Sequence, residues 1–230
     1  EACNATLTLR PPAQMPPPAQ MPINSTMAGI LERGRLIVGL DIGSNLFSFR
    51  DPITGDIQGF DVDIAHEIAG AIFGDDRRVE FQVLSSAQRI DALRDMTVDL
   101  VIKTMSITCD RLRDISFSAP YYVASQRILS FRNSNVTGPA QLADKRVCAA
   151  RGTTSIGRIQ AIQPRAKIVS TTTWADCLVL MQQGQIDAAT TDDAILRGYA
   201  AQYEGEFKVV GEPFSEEPYG IGLPKDDQAL

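Results

Sequence analysis

The chain has 230 residues, of which 44% are hydrophobic and 22% charged, a composition that fits a globular protein of one large or two small domains. Its net charge of −6 and the lack of a long basic block argue against nucleic acid or an anionic membrane as the main partner. No apolar run reaches the roughly 18 residues of a membrane span. The first residues also lack the pattern of a signal peptide, so we expect any leader to have been removed or to lie outside this sequence.

Residues 1–34 are predicted to form an N-terminal arm. Prolines cluster at 11–12 and 16–18, and such sequences favour an extended backbone that packs poorly.

Beyond the arm, strand and helix patterns alternate. Apolar runs predict strands at 36–40, 98–102, 115–117 and 126–130, then 146–150, 167–170, 187–190 and 207–211. Apolar residues at helical spacing predict helices at 61–73, 90–96, 156–162, 174–181 and 194–201. Asp61 and Asp192 are candidate N-caps, and Gly74 and Gly184 are candidate helix ends.

Repeated strand–helix units of this kind are typical of mainly parallel sheets with helices on both faces. Because the pattern restarts near residue 127, the sequence predicts two α/β lobes. We place lobe one at 35–125 plus 216–230 and lobe two at 126–215, joined by a two-strand hinge.

Polar side chains follow four of the predicted strands. In open α/β sheets, ligands bind beyond the carboxyl ends of the strands, so these groups could meet in one cleft. The four segments are Asp41–Asn45, Lys103–Arg111, Arg151–Ser155 and Thr190–Asp193.

Arg111 and Asp192 are the two charges that could hold an amino acid. A guanidinium matches a carboxylate, and a carboxylate matches the ammonium group. The alternatives are a surface ion pair of Arg111 with Asp110 or Asp114, and a plain helix cap at Asp192.

The four cysteines, Cys3, Cys109, Cys148 and Cys177, fit either two disulfides in an oxidising compartment or four free buried thiols. Their spacing does not resemble a zinc site. The single His66 also leaves no acid–base pair with a nucleophile. We therefore expect no catalytic residues, no metal and no cofactor.

Several ordered motifs resemble the bacterial extracellular solute-binding proteins of family 3, which have the type II periplasmic-binding fold. The motifs are Gly59-Phe-Asp-Val-Asp-Ile-Ala65, Ser106-Ile-Thr108 with Arg111, Gly152-Thr153, Ile186-Asp-Ala188 with Asp192, and Pro218-Tyr-Gly-Ile221. The segments at Val147-Cys148, Trp174–Cys177 and Thr190–Leu196 are similar to actinobacterial lipoproteins that bind glutamine, glutamate or aspartate for ABC importers.

The resemblance implies a two-lobed fold and a role for each matched residue. Arg111, Ser106 and the backbone near Thr104 would hold the ligand α-carboxylate, Asp192 would hold the α-ammonium, and Thr154 would add a contact from lobe two. Lys103, Arg151, Ser44, Asn45 and Asp41 complete the predicted ligand-binding set. The expected disulfides are Cys148–Cys177 and Cys3–Cys109.

Lys103 and Arg151 favour an acidic ligand, because an unpaired cation in a closed cleft penalises a neutral side chain. The predicted function is extracytoplasmic binding of aspartate or glutamate, with asparagine and glutamine weaker, by a monomer that delivers the free L-amino acid to an ABC permease. The alternatives are a sensor module acting through a membrane protein and a dehydratase-like enzyme. We expect a lipid-anchored protein of the cell envelope, with the anchor outside this sequence.

Overall fold

The computed structural model describes residue 4, residues 8–227 and residues 229–230. In these residues the chain forms two five-stranded sheets, each with its own helices, and this confirms the predicted two-lobed α/β fold. We call the part built on the first sheet lobe one and the part built on the second lobe two.

Seven helices are present in the described residues. They are α1 (Thr26–Arg33), α2 (Phe60–Phe73), α3 (Arg89–Arg94), α4 (Arg111–Asp114), α5 (Ser155–Ile162), α6 (Trp174–Gln182) and α7 (Asp193–Gln202). Short 3-10 turns lie at Ser86–Gln88 and Pro139–Leu142.

The same residues contain fifteen strands. In the first half of the chain they are β1 (Leu36–Leu40), β2 (Gly43–Ser44), β3 (Ser48–Arg50), β4 (Ile57–Gln58), β5 (Val79–Val83), β6 (Leu100–Val101) and β7 (Ser116–Phe117). The others are β8 (Tyr122–Ala124), β9 (Gln126–Phe131), β10 (Arg146–Ala150), β11 (Lys167–Thr171), β12 (Ala188–Asp192), β13 (Phe207–Val210), β14 (Glu217–Tyr219) and β15 (Gly222–Leu223).

Three neighbouring strands of each sheet are parallel, and the next strand in each sheet is antiparallel to them. In lobe one the order is β5-β1-β6-β15-β7, and β1 runs parallel to β5 and β6. In lobe two the order is β11-β10-β12-β9-β13, and β10 runs parallel to β11 and β12. The carboxyl ends of these strands therefore collect at one edge of each sheet, which is where the polar segments follow.

Two chain crossings join the lobes. β8 and β14 pair as an antiparallel two-stranded ribbon, with Ala124 opposite Glu217 and Tyr122 opposite Tyr219. After β14, the chain returns to the first sheet as β15. Tyr219 is fully buried in this ribbon and stacks on Tyr122.

Two of the differences between the structure and the sequence prediction in lobe one concern the N-terminal segment and Asp61. Within the segment predicted as an arm, Thr26–Arg33 form a helix that buries Met27 and Ile30 against the first sheet. Asp61 is not a helix cap, because α2 begins at Phe60 after Gly59. Instead, the buried Asp61 carboxylate accepts the Thr104 backbone N–H at 3.0 Å and the Tyr121 hydroxyl at 2.8 Å.

A disulfide joins Cys148 on β10 to Cys177 on α6, with the Cα atoms 5.7 Å apart, so this predicted pair is confirmed. The predicted pair Cys3–Cys109 lies outside the described residues, because Cys3 is not among them. None of the helices that the structure describes combines the length and the apolar character needed to cross a bilayer.

Candidate ligand site

The segments that follow the parallel strands of both lobes line one small cavity between the lobes. Its volume of about 20 Å³ leaves room for roughly one water molecule. The contributing segments follow β1, β5 and β6 in lobe one and β10 and β12 in lobe two. The lobes are therefore closed on each other, and a ligand larger than water can enter only if they separate.

Eight of the ten predicted ligand-binding residues line this cavity. They are Asp41, Ser44, Lys103, Thr104, Ser106, Arg111, Thr154 and Asp192. The cavity thus contains hydroxyls, cations and carboxylates from both lobes.

Asp192 presents a buried carboxylate oxygen to the cavity. Its Oδ2 accepts the Tyr219 hydroxyl at 2.6 Å, and its Oδ1 has no hydrogen-bond partner in the described part of the chain. Asp192 precedes α7, but its side chain makes no capping bond. Burial raises the pKa of Asp192 to about 7 although the Tyr219 hydroxyl and Arg111 oppose the shift. An unpaired, desolvated acceptor of this kind calls for a cationic donor.

Arg111 faces the cavity from the first turn of α4. Its Nη1 donates to the Ser106 carbonyl at 2.6 Å, and its Nη2 donates to the Gly152 carbonyl of lobe two at 3.0 Å. Burial lowers the pKa of Arg111, against the opposing effect of the Glu217 and Asp192 carboxylates. The guanidinium remains charged at neutral pH, because its ordinary pKa is above 12.

Arg89 is a buried cation that the sequence prediction missed. It is 2% exposed and donates to three backbone carbonyls, those of Ser86, Lys103 and, across the cleft, Gly152. Burial and the nearby Arg111 lower the pKa of Arg89 to about 9. The Gly152 carbonyl therefore receives one hydrogen bond from Arg89 and one from Arg111.

Lys103 does not stand as an unpaired cation. Its Nζ lies 2.6 Å from Oδ2 of Asp41, and this oxygen also accepts the Ser44 hydroxyl. The other carboxylate oxygen, Oδ1, accepts the backbone N–H groups of Ile42 and Gly43. Burial raises the pKa of Asp41, but Lys103 and these hydrogen bonds outweigh it and leave the pKa lowered. Asp41 is therefore nearly saturated with donors, whereas the ammonium of Lys103 keeps further N–H groups.

Two residues of the predicted set do not line the cavity. Arg151 is exposed and donates to the Thr172 hydroxyl at 2.8 Å, so its guanidinium is directed along the surface of lobe two. Asn45 instead bridges the lobes, with its Nδ2 donating to the Gly198 carbonyl at 3.3 Å. Neither side chain faces the cavity in this closed structure, and the part of these two residues in ligand binding stays a prediction.

The other lining residues outside the predicted set are mostly hydroxyl side chains. Two of them, Ser86 and Arg89, could have been predicted from the sequence, because the polar segment 84–89 follows a strand. That strand, β5, was not recognised in the sequence. Trp174 is 6% exposed, packs in the core of lobe two and also lines the cavity. The full additional set is Ser86, Arg89, Thr153, Ser155, Trp174, Thr191 and Ile195.

Two α/β lobes with a polar cleft at the strand ends define a two-lobed ligand-binding protein. Residues 36–157 match the family of bacterial extracellular solute-binding proteins, family 3. The chain is 37% identical over 203 residues to a glutamine-binding protein of Geobacillus stearothermophilus, covering 88% of this chain and 77% of that protein. It is 33% identical over 210 residues to the glutamate-binding protein GluB of Corynebacterium glutamicum, covering 86% and 70%.

Solved structures agree with this assignment. The solute receptor for L-cysteine of Neisseria gonorrhoeae superposes with a TM-score of 0.84 at 27% identity, covering 90% of this chain and 83% of that one. Holo ArgBP from T. maritima superposes with a TM-score of 0.81 at 30% identity, covering 87% of each chain. The chain belongs to family 3 of the bacterial extracellular solute-binding proteins.

In the described residues, no group of three or more His, Cys, Asp or Glu side chains is placed to hold a metal ion.

Proposed function

We propose that this protein binds a free polar L-amino acid between its lobes and delivers it to an ABC importer. The observation that carries the proposal is the pairing of charges in the cavity. Arg111 offers a guanidinium to the α-carboxylate, and the unpartnered Oδ1 of Asp192 offers an acceptor to the α-ammonium. Ser106 and the backbone at Thr104 would add donors to the carboxylate, and Thr154 would contribute from lobe two.

The net charge of the cavity supports an acidic side chain on the ligand. The ionisable lining residues are Arg89, Lys103, Arg111, Asp41 and Asp192, which gives +3 − 2 = +1 when all are charged. An acidic amino acid carries −1 and would neutralise this cavity, whereas a neutral amide would leave one buried cation uncompensated. The spare N–H groups of Lys103 could donate to the side-chain carboxylate.

The pair between Lys103 and Asp41 favours a competing ligand class, the amides. Because Asp41 already compensates Lys103, the cost of placing an uncharged carboxamide beside this lysine is smaller than the sequence suggested. The relatives divide in the same way, since one is named for glutamine and another for glutamate. We keep aspartate and glutamate as the preferred ligands and the amides as the weaker ones.

Isothermal titration with Asp, Glu, Asn and Gln tests both parts of the proposal. We expect saturable binding with Glu or Asp tightest, and the Arg111→Ala variant should lose about 2–5 kcal/mol, at least a thirtyfold loss of affinity. Tightest binding of Gln by tenfold would reverse the acidic preference. No heat with any amino acid, together with unchanged melting temperatures, would remove amino acids as ligands.

For its cellular role, we infer an extracytoplasmic protein held at the membrane by a lipid anchor and working as a monomer without catalysis. A membrane sensor could recognise the same closed lobes as a permease. Pull-down from membranes in the presence and absence of ligand distinguishes transport from signalling, because the retained partner is a permease in the first case and a sensor protein in the second.

A further inference from the structure

We propose that Asn45 and Tyr199 are positioning residues that hold the lobes closed without touching the ligand. The proposal rests on the proposed function, since it concerns closure around the same cavity. Neither side chain lines that cavity. Both make hydrogen bonds from one lobe to a backbone carbonyl of the other, next to a second groove between the lobes.

The first bond runs from lobe one to lobe two. Asn45 follows β2, its Oδ1 accepts the Leu46 backbone N–H at 3.0 Å, and this fixes its amide so that Nδ2 donates to the Gly198 carbonyl. Gly198 lies on α7, and a Cβ at this position would come within 2.9 Å of the Asn45 carbonyl oxygen. The helix therefore approaches the loop more closely than any other residue type would allow.

The second bond runs in the opposite direction. The hydroxyl of Tyr199, the next residue of α7, donates to the Gly43 carbonyl of lobe one. Tyr199 is 4% exposed, and burial raises the pKa of its hydroxyl, so the group stays a neutral donor at physiological pH. Two successive residues of α7 thus contact the segment Gly43–Asn45.

These bonds stabilise only the closed arrangement, because hinge opening separates Gly43 and Asn45 from α7. They are independent of the ligand, since both partners belong to the protein. Their free energy therefore adds equally to the affinity of every ligand that requires closure. In contrast, substitution of a residue that contacts the ligand side chain changes the affinity for one ligand relative to the affinity for another.

Tyr199→Phe removes one bond and keeps the ring, and Asn45→Ala removes the other bond without introducing a charge. We expect each to weaken Glu and Gln binding by the same factor of about three to ten, the amount of one neutral hydrogen bond. We also expect small-angle scattering of the ligand-free protein to show an increased radius of gyration. Tyr203→Phe is the matched control, because no described residue bonds its hydroxyl although it lines the same groove.

Gly198→Ala tests the close approach separately. It places a methyl group against Asn45, whereas Gly157→Ala places one where nothing lies within 4 Å. Both sites are helical and alanine is the better helix former, so neither variant is expected to lower the melting temperature of the ligand-free protein. Only Gly198→Ala should open the ligand-free lobes and weaken binding.

The two measurements separate this proposal from the proposed function. If no amino acid binds, scattering of the ligand-free variants still decides whether α7 holds the lobes closed. Variants of Tyr199 and Asn45 that match Tyr203→Phe in radius of gyration and in affinity would overturn the proposal. A change in the ratio of Glu to Gln affinity would also overturn it, since it would place these residues in ligand recognition.

Discussion

At the scale of single residues, Asp192 combines a stability cost with a proposed binding role. The folded state holds this carboxylate with one unpaired buried oxygen, and its pKa of about 7 lies well above the ordinary value near 4. A group with a raised folded pKa contributes stability below its unfolded pKa and loses that contribution as the pH rises through the folded value. At pH 8, ionised Asp192 therefore costs the ligand-free protein stability.

We expect Asp192→Asn to raise the free energy of unfolding at pH 8 by about 1–3 kcal/mol and to weaken amino-acid binding by at least about thirtyfold. Denaturant unfolding and titration calorimetry measure the two effects. Asp187→Asn is the control with the opposite sign, because Asp187 is bonded to Arg146 and this bond lowers its pKa. A less stable Asp192→Asn protein would contradict the account of the buried carboxylate.

Binding should also depend on pH through Asp192. Glu217, Asp193, Arg111 and Tyr219 are the charged and titratable groups that act on this carboxylate, and burial remains the largest cause of its raised pKa. The ammonium group needs the ionised carboxylate, so affinity should fall about tenfold from pH 8 to pH 6. Calorimetry in buffers of different ionisation heat should show proton release on binding near pH 7. If the affinity does not change between pH 6 and pH 8, the ammonium group must bind to another acceptor.

Much of the candidate site could be predicted from the sequence, because ligands bind beyond the carboxyl ends of strands in open α/β sheets. Applying this rule requires only an apolar strand pattern and the polar residues that follow it. This reasoning placed Asp41, Arg111 and Asp192 beside one cavity. It could not tell that Arg151 turns away along the surface or that Lys103 is compensated by Asp41. Side-chain direction and pairing depend on tertiary neighbours, which strand patterns do not contain.

At the scale of elements, the disulfide joins a central strand of lobe two to helix α6. The sequence separation of 29 between Cys148 and Cys177 gives an expected loss of about 3–4 kcal/mol in the free energy of unfolding for the Cys148→Ala/Cys177→Ala variant. Urea unfolding followed by the single Trp174, which starts α6, measures this loss. A reductant should lower the free energy of unfolding of the parent protein. In the presence of the reductant, the substitutions should cause no further loss of stability in lobe two. Equal stability of parent and variant would mean that packing alone holds α6 in place.

The elements that the sequence predicted well are those with strong apolar patterns, such as β1 and β10, whose bounds match the structure. Strand β5 was missed because it is an edge strand with no buried residue and carries little apolar signal. That omission hid the segment leading to Arg89. The cap assigned to Asp61 failed for a different reason, because a buried tertiary partner, the hydroxyl of Tyr121, competes with local capping.

At the scale of the whole molecule, the two lobes approach each other closely at Gly152, on the ligand side. Its φ is +76°, and a Cβ would lie 2.5 Å from the Cα of Ala87 in lobe one. Because that neighbour is backbone, it cannot rotate away as a flexible side chain could. Any side chain here should therefore hold the lobes apart and separate the Gly152 carbonyl from Arg89 and Arg111.

We expect Gly152→Ala to increase the radius of gyration of the protein at saturating ligand and to weaken binding at least tenfold. The control is Gly184→Ala, since Gly184 also has a positive φ, +68°, but its Cβ would meet nothing within 4 Å. Both substitutions carry the same backbone strain of roughly 1 kcal/mol, so a loss of stability should be common to both.

Only the loss of closure separates the two variants, and scattering with ligand present measures it directly. If Gly152→Ala compacts as fully as Gly184→Ala, the lobes do not need the contact between Gly152 and Ala87, and the ligand-bound form must be wider than the structure described here. If it stays extended and binds weakly, backbone contact at this glycine sets how far the two lobes close. The cavity of about 20 Å³ then marks the limit of that motion.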